Sequence, residues 1–450
     1  MLIIKVLRWS LMCGLFAGAA AAPPPLRLDA AVTGRLLATR VDLPEAIAVG
    51  DAPAWTVSAM DVFAPDARTE QIGQSDRRRI ARSTQRLFRI GAVGGEWLGV
   101  LVLDARGTFV AATVFGGSSI YRGENISGNT APEIEFRDLA DYLPEGVQLK
   151  SSCDFKQSMS PAVLPSLAPP GASARASNDA PAGALVQARL AIDTDNEFMS
   201  LKFTNNTTAA SNYIAQLIAL MTVVYERDLG VRLTIGSTVL RTAPDPYATD
   251  GTSTPAQLNE FGEFWRVNQA GVARAFAIQL SGKSGAANSA SGIAWLLTSG
   301  NYCASTGQVS GINTPGHFSI NQVFRFVGAT AANDVSLVAH ELGHNFGANH
   351  THCTDTLPAP GLQPIDVCFN AEGGCYSGAV MCPVETGGMG TLMSYCHFPI
   401  SIGGANCGPV RQEFHPFQIT QLSGRVLSNT QNGCFTPVTA SDTIFGNGFE

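Results

Sequence analysis

The sequence predicts an α+β fold: a mixed, twisted sheet with helices packed against it, preceded by a β-rich N-terminal region. Two observations carry this. From residue 185 onward, stretches with an apolar period of two alternate with stretches at helical spacing, the pattern of strands and helices in turn. Upstream, two alternating runs flank a turn-forming tetrapeptide, which reads as a β-hairpin.

In the C-terminal part, Leu185 to Ile192 alternates like a strand. Ile214, Leu217, Ile218, Met221 and Tyr225 recur at helical spacing, and Gly230 stops that helix. Val231, Leu233 and Ile235 alternate as a second strand. Thr254-Pro255 opens another helix, with Leu258, Phe261 and Trp265 on one face. Phe276, Ile278 and Leu280 give a third strand, Gly292 to Leu297 a fourth and Gly307 to Ile312 one more. Asn333 or Asp334 is positioned to cap the next helix, whose buried stripe is Val335, Val338, Leu342 and Phe346. His415-Pro416 precedes Ile419, Leu422 and Val426, a closing helix.

In the N-terminal part, residues 96–103 and 108–115 flank Asp104-Ala-Arg-Gly107 as the two arms of the hairpin. Arg77, Arg78, Arg79, Arg82 and Arg86 form a basic run. The plain reading is a solvated helix face, and the sharper one an inhibitory or chaperoning contact.

Length and composition bound the rest. At 450 residues the length prior is about three domains. Charged residues make up 14%, the net charge is −7 and the isoelectric point is near 5.5. That balance gives no global attraction for nucleic acid or for an anionic membrane. Residues 1–22 read as an export signal: Lys5 and Arg8 are positive, Trp9 to Gly18 is mostly apolar, and Ala19 to Ala22 offers small cleavage positions. A membrane anchor is the competing reading, disfavoured because the apolar run is short. No later stretch of about 18 apolar residues is expected. Residues 158–184 hold five prolines among Ala, Ser and Gly, the composition of an exposed tether open to cleavage, with Arg175 a candidate position. Residues 438–450 form a short tail, similar to tails on exported proteins of some Gram-negative bacteria, with a frayed terminus the default reading.

The chemistry concentrates in His340-Glu341-Leu342-Gly343-His344-Asn345-Phe346-Gly347-Ala348-Asn349-His350. Histidines four apart lie on one face of a helix, so both imidazoles can reach one metal ion. Glu341 projects about 100° round the helix, close enough to touch a metal-bound water without ligating the metal. Gly347 can take the left-handed conformation that ends the helix and brings His350 back as a third ligand. Three nitrogen donors without a fourth protein ligand describe a catalytic zinc site with an open position.

These residues match the signature H-E-x-x-H-x-x-G-x-x-H without a gap, and so the chain resembles the metzincin zinc peptidases. Gly390-Thr-Leu-Met393-Ser-Tyr-Cys-His397 looks like that family's methionine turn, with Met393 as an apolar floor under the imidazoles. The similarity is greatest to the reprolysin or adamalysin branch, in a form found in secreted bacterial peptidases, and covers residues 185–437. Thr351 departs from it, since adamalysins usually carry Asp after the third histidine. The resemblance implies a catalytic domain over 185–437, a β-rich pro-domain over 23–157, and an antiparallel edge strand at Gly292, Ile293, Ala294 and Trp295. That strand would pair with an extended substrate through backbone bonds, against the alternative of an ordinary covered strand.

Cysteine arithmetic adds one residue. Of ten cysteines, Cys13 falls in the signal, and eight lie from Cys303 onward, an even number that suits four disulfides in an exported protein. Residues 353–407, dense in Cys and Gly, read as a loop-rich subdomain stapled by disulfides, with a second zinc knuckle the weaker alternative. Cys153 is left over. It resembles the cysteine switch of metzincin zymogens, in which a thiolate fills the open zinc position; a plain free or intermolecular cysteine is the alternative.

The expected function is hydrolysis of peptide bonds in proteins by a secreted zinc endopeptidase, with His340, His344 and His350 as ligands and Glu341 as general base. One catalytic zinc is implied; calcium stays open and no residue pattern identifies a site for it. The expected partners are protein or peptide substrates, without nucleic acid or stable membrane insertion, for a monomer. His352 and His397 lie near the site in sequence, either as substrate donors or, the plainer reading, as surface groups or supports behind the ligands. A zinc hydrolase of a non-peptide ester or amide, or a catalytically silent binding module, remain the competing classes; the presence of Glu341 disfavours the second.

Overall fold

The structure, a computed structural model, describes residues 22–38, 44–49, 52–95, 97–128, 132–145, 147, 151–153, 185–249, 253–296, 301–303, 317–356 and 363–438. At 44–49, 52–54 and 151–153 the description is of the backbone alone. Residues 1–21 of the export signal, the tether, the tail past residue 438 and the strand expected at 307–312 lie outside the described residues.

In chain order the N-terminal region contains β1 (Leu26–Arg27), α1 (Ala30–Ala38), β2 (Pro44–Val49), β3 (Ala52–Met60), β4 (Phe63–Ile72), β5 (Arg77–Ile80) and β6 (Arg86–Ala92). It continues with β7 (Leu98–Leu103), β8 (Phe109–Gly116), β9 (Ser119–Asn125), β10 (Glu133–Asp138) and β11 (Ser151–Cys153). The remainder contains β12 (Val186–Thr194), α2 (Thr207–Leu229), β13 (Val231–Arg241), α3 (Pro255–Asn268), β14 (Phe276–Ser281) and β15 (Ala290–Ala294). Then follow β16 (Phe318–Gln322), α4 (Ala331–Phe346), α5 (Pro416–Gln431) and β17 (Thr436–Pro437).

Eight of these strands make an antiparallel sheet in the order β1-β10-β9-β8-β7-β6-β3-β2. Its hairpin is the expected one. Asp104 Oδ1 accepts from the amides of Arg106 and Thr108, each at 2.8 Å, and Gly107 sits at φ +88°, a conformation that costs a residue without a Cβ little.

The second sheet mixes the two halves of the chain: β11-β15-β16-β14-β12-β13-β4-β5, with β17 also paired to β12. β14, β12, β13 and β4 run parallel, and β15 lies antiparallel to β16. The expectation of an α+β fold with a mixed sheet holds. The basic run departs from its plain reading: Arg77 to Arg79 lie in β5 and Arg86 in β6, not on a helix. All three of the β5 arginines are exposed. A strand exposed on both faces has no apolar alternation, so its period is invisible in the sequence.

α2 and α4 pack together beside the second sheet. Asn206 caps α2 by accepting the Ala209 amide at 3.0 Å, and Gly230 closes it at φ +64°. By length and composition α2 could cross a membrane, contrary to the expectation that no such later stretch exists. It is mostly buried within the protein, however, as a core helix is: it packs against β13, α4 and strands β6 and β7 of the N-terminal sheet. Tyr225 of α2 donates to Ala339 O of α4 at 2.8 Å, which fixes one helix against the other.

α4 is capped differently from the expectation. Thr330 is its N-cap, and Asn333 Oδ1 accepts the Thr330 amide at 2.7 Å. Asp334, fully buried, turns inward instead: it accepts from the Phe324 amide at 2.8 Å and from Tyr213 OH at 2.6 Å.

All eight C-terminal cysteines are paired, as Cys303–Cys434, Cys353–Cys375, Cys368–Cys396 and Cys382–Cys407. Three of the bridges staple residues 353–407, which hold only short 3-10 turns among the described residues. That disposes of a zinc knuckle there, since a disulfide sulfur is not a thiolate donor.

Candidate metal and catalytic site

α4 carries His340 and His344 one turn apart, and Gly347 ends the helix at φ +96°, its amide bonded to the carbonyls of Gly343 and His344. The chain then reverses and returns His350 to the same point. The three imidazoles are buried, with ring centroids 4.6 to 5.3 Å apart, and His344 Nε2 lies 3.0 Å from His350 Nε2.

The far nitrogen of each ring is held by a different segment. His340 Nδ1 donates to Leu392 O at 2.7 Å, His344 Nδ1 to Ala348 O at 2.8 Å, and His350 Nδ1 to Glu372 Oε2 at 2.8 Å. Each Nε2 therefore keeps its lone pair and turns it inward. Burial pushes the His340 pKa well below its ordinary value, with the neighbouring His344 adding to the shift. It takes His344 down to about 3, helped by His350, and His350 down to about 4 against the pull of Glu372. Neutral imidazole is the form that binds metal. Ligands about 2.0–2.1 Å from a tetrahedral zinc are about 3.3 Å from one another, so the donor set fits such an ion with little adjustment.

Beneath the rings, residues 390–397 form a tight turn. Met393 is fully buried, and a Cβ added to Gly343 would lie 2.5 Å from its Sδ. A side chain at position 343 would therefore have to displace the methionine. The turn also supplies Leu392 O to His340, and Met393 O accepts the Thr351 amide at 3.1 Å. One turn thus locates the first and third histidines together.

Glu341 is fully buried on the neighbouring face of α4, against β15. A Cβ on Gly292 would come 2.5 Å from Glu341 Cδ and nearer still to Cγ and Oε1. Asn345, one turn on, donates to Trp295 O at 3.0 Å and to Phe318 O at 3.1 Å, tying the ends of β15 and β16 to α4. The outer flank of β15 is paired in parallel with β11, placing Cys153 opposite Gly292. The expected substrate strand is thus covered here by a segment of the chain itself; the Cys153 side chain lies outside the described residues.

The family model of metallo-peptidase family M12, reprolysin type, matches residues 185–399. Residues 185–399 belong to metallopeptidase family M12. The matched span includes all three histidines, Glu341 and Met393, so this part of the chain is a metal-dependent peptidase. Among solved structures, metalloproteinase-II from Bacteroides fragilis is similar at 11% identity with a TM-score of 0.34, over 72% of this chain and 86% of that one. A chaperone–substrate complex is similar at 11% identity with a TM-score of 0.28, over 54% of this chain and 35% of that one. No curated protein matches the sequence.

Two residues around the peptidase site, Glu372 and Tyr395, are given no role by the sequence. Glu372 uses one oxygen for two imidazoles, His350 Nδ1 and His352 Nε2, each at 2.8 Å. Burial pushes its carboxyl up, but the His350 and His352 imidazoles outweigh it and hold the group well below the usual carboxylate range. Tyr395 lays its ring against His350, centroids 4.1 Å apart, and against His340 at 5.7 Å. His352 is fully buried and stacks on His350 at 5.5 Å, and His397 is buried against Phe398. Neither is a surface group. Glu372 lies in the cysteine-rich loop, three residues before the cysteine bridged to Cys353, and no sequence pattern marks it.

Proposed function

We propose that the chain is a secreted zinc endopeptidase in which His340, His344 and His350 hold the metal and Glu341 moves the proton. The observation that carries this reading is the convergence of three buried imidazoles whose outer nitrogens are all engaged, beside one buried carboxylate on the same helix. Zinc bound there supplies a Lewis acid that acidifies water and polarises a carbonyl. Glu341 accepts the proton of the attacking water and passes it to the leaving amine nitrogen. Packing against Gly292 fixes where that carboxylate stands.

Met393 is read as the apolar floor of the site, the family's methionine turn. The backbone of Gly292, Ile293 and Ala294, running on to Trp295, would align an extended substrate, since strand pairing does not depend on side-chain identity. The β11 pairing supports a latent form in which residues 151–153 cover that strand; in it the Cys153 thiolate would be the group to fill the open zinc position. Residues 23–157 are then the pro-domain of a zymogen. Four disulfides suit an oxidising compartment, which agrees with export through residues 1–22.

Casein or gelatin cleavage, measured with and without a zinc chelator, tests the reading. Cleavage that the chelator stops and added zinc restores is expected from wild type and absent from Glu341→Gln. Proteolysis that persists in the chelator, or in that variant, overturns it.

A further inference from the structure

The N-terminal region meets the peptidase at two places of very different extent. At the cleft it contributes three paired residues, Ser151↔Ala290, Ser152↔Ser291 and Cys153↔Gly292. At the opposite side of the same sheet, β4 runs parallel to β13, with Ile235 opposite Phe63 and then an unbroken register from Ser237↔Arg68 to Arg241↔Ile72. The Ile235 amide donates to Val62 O at 2.6 Å and the Thr242 amide to Ile72 O at 2.9 Å.

Side chains reinforce that second junction. Met60, Val62, Leu87, Val100, Val102 and Phe115 are buried in one cluster with α2 residues such as Leu217 and Leu220. Arg89 of β6 pairs with the buried Glu226 of α2, whose other oxygen takes Arg232 Nε at 2.7 Å. Arg189 of β12 grips both oxygens of Asp66 at 2.6 and 3.0 Å. Ser83 bonds Asn212 at 2.7 Å, and Gln216 bonds Gln85 at 2.9 Å. Without β4, β13 would be an open edge, and a buried carboxylate would lose one of its two guanidinium partners.

We propose that the N-terminal region is a lasting partner of the peptidase: after the chain is cut between residues 158 and 184, it stays bound through the β4–β13 junction. Emptying the cleft then requires only local departure of the 151–153 strand. The retention does not depend on the catalytic reading, because it concerns the edge of the sheet opposite the one that carries β15 and the cleft.

The test uses the full chain with a recognition sequence for an unrelated, sequence-specific protease inserted after Pro170, in a Glu341→Gln background to prevent self-digestion. After complete cutting, size-exclusion chromatography in native buffer should give one peak containing both fragments, which separate only in denaturant. An N-terminal fragment that elutes alone in native buffer overturns the proposal, whatever the state of the other fragment. Amide hydrogen exchange gives a second readout. The Ile235 and Thr242 amides should be as protected after cutting as before; loss of their protection on cutting overturns the proposal equally.

Discussion

Gly292 and Glu341 share one volume. The carboxylate of the α4 residue fills the space that a Cβ on the β15 residue would need, with Cδ 2.5 Å from that position. The strand proposed to align substrate and the group proposed to move the proton are therefore in direct contact, and neither can shift alone. Gly292→Ala should leave the fold and metal content intact while lowering kcat by about 10²-fold, the scale of a 1 Å misplacement of a catalytic group. Steady-state kinetics with zinc analysis check it; an unchanged kcat would show that the carboxylate has room to move.

Replacing Glu341 with Gln keeps shape and burial but removes the proton acceptor. Zinc content should stay near one per chain, and turnover should fall by about 10²–10⁴-fold. His344→Ala, in contrast, should lose both, because two imidazoles do not make the site. Metal analysis of the two variants side by side separates proton transfer from metal binding.

Glu372 holds the outer nitrogen of His350, so its loss should be felt first at the metal. Glu372→Ala should weaken zinc affinity by about 10–100-fold, as loss of such a hydrogen-bonded partner does elsewhere. Glu372→Gln, whose amide oxygen can still accept from both imidazoles but carries no charge, should fall between Glu372→Ala and wild type. The rate at which a chelator strips zinc measures this without reference to activity. Equal rates in all three proteins would show that His350 is oriented by packing against Tyr395 and His352 instead.

How far the site was legible depended on whether its determinants were local. The helix, its left-handed stop at Gly347 and the return of His350 lie within eleven residues, so spacing alone located them. Gly230 and Thr254 marked helix ends for the same reason, through conformational freedom at one and a side-chain cap at the other. Glu372 reaches His350 from 22 residues away through a disulfide-stapled loop with no periodicity, and nothing in the sequence announces such a contact. Asp334 looked like a cap because caps are usually acidic or amidic, but Tyr213 and the Phe324 amide, both distant in sequence, draw it inside. The joining of β4 to β13 was hidden likewise. The two strands are about 170 residues apart, and a shared sheet leaves its trace only in which faces are buried.

Gly343 gives a case where two general effects oppose each other. Replacing glycine with alanine inside a helix ordinarily stabilises by about 1 kcal/mol, since alanine has less backbone freedom to lose. Here the added methyl would lie 2.5 Å from Met393 Sδ and 3.2 Å from Phe414 Cε1, both in fully or almost fully buried side chains. Overpacking of that kind costs about 1–3 kcal/mol, so the steric term should win and Gly343→Ala should melt at a lower temperature than wild type. Met393→Ala alone should cost about 2–5 kcal/mol through the cavity it leaves. Combined, the alanine methyl occupies part of the space the methionine vacates, and the double variant should be more stable than the sum of the single losses requires. Calorimetric unfolding of the four proteins reads that coupling directly. Simple additivity would mean that the 390–397 turn can retreat from α4, and the proposed floor of the site would then not be rigid.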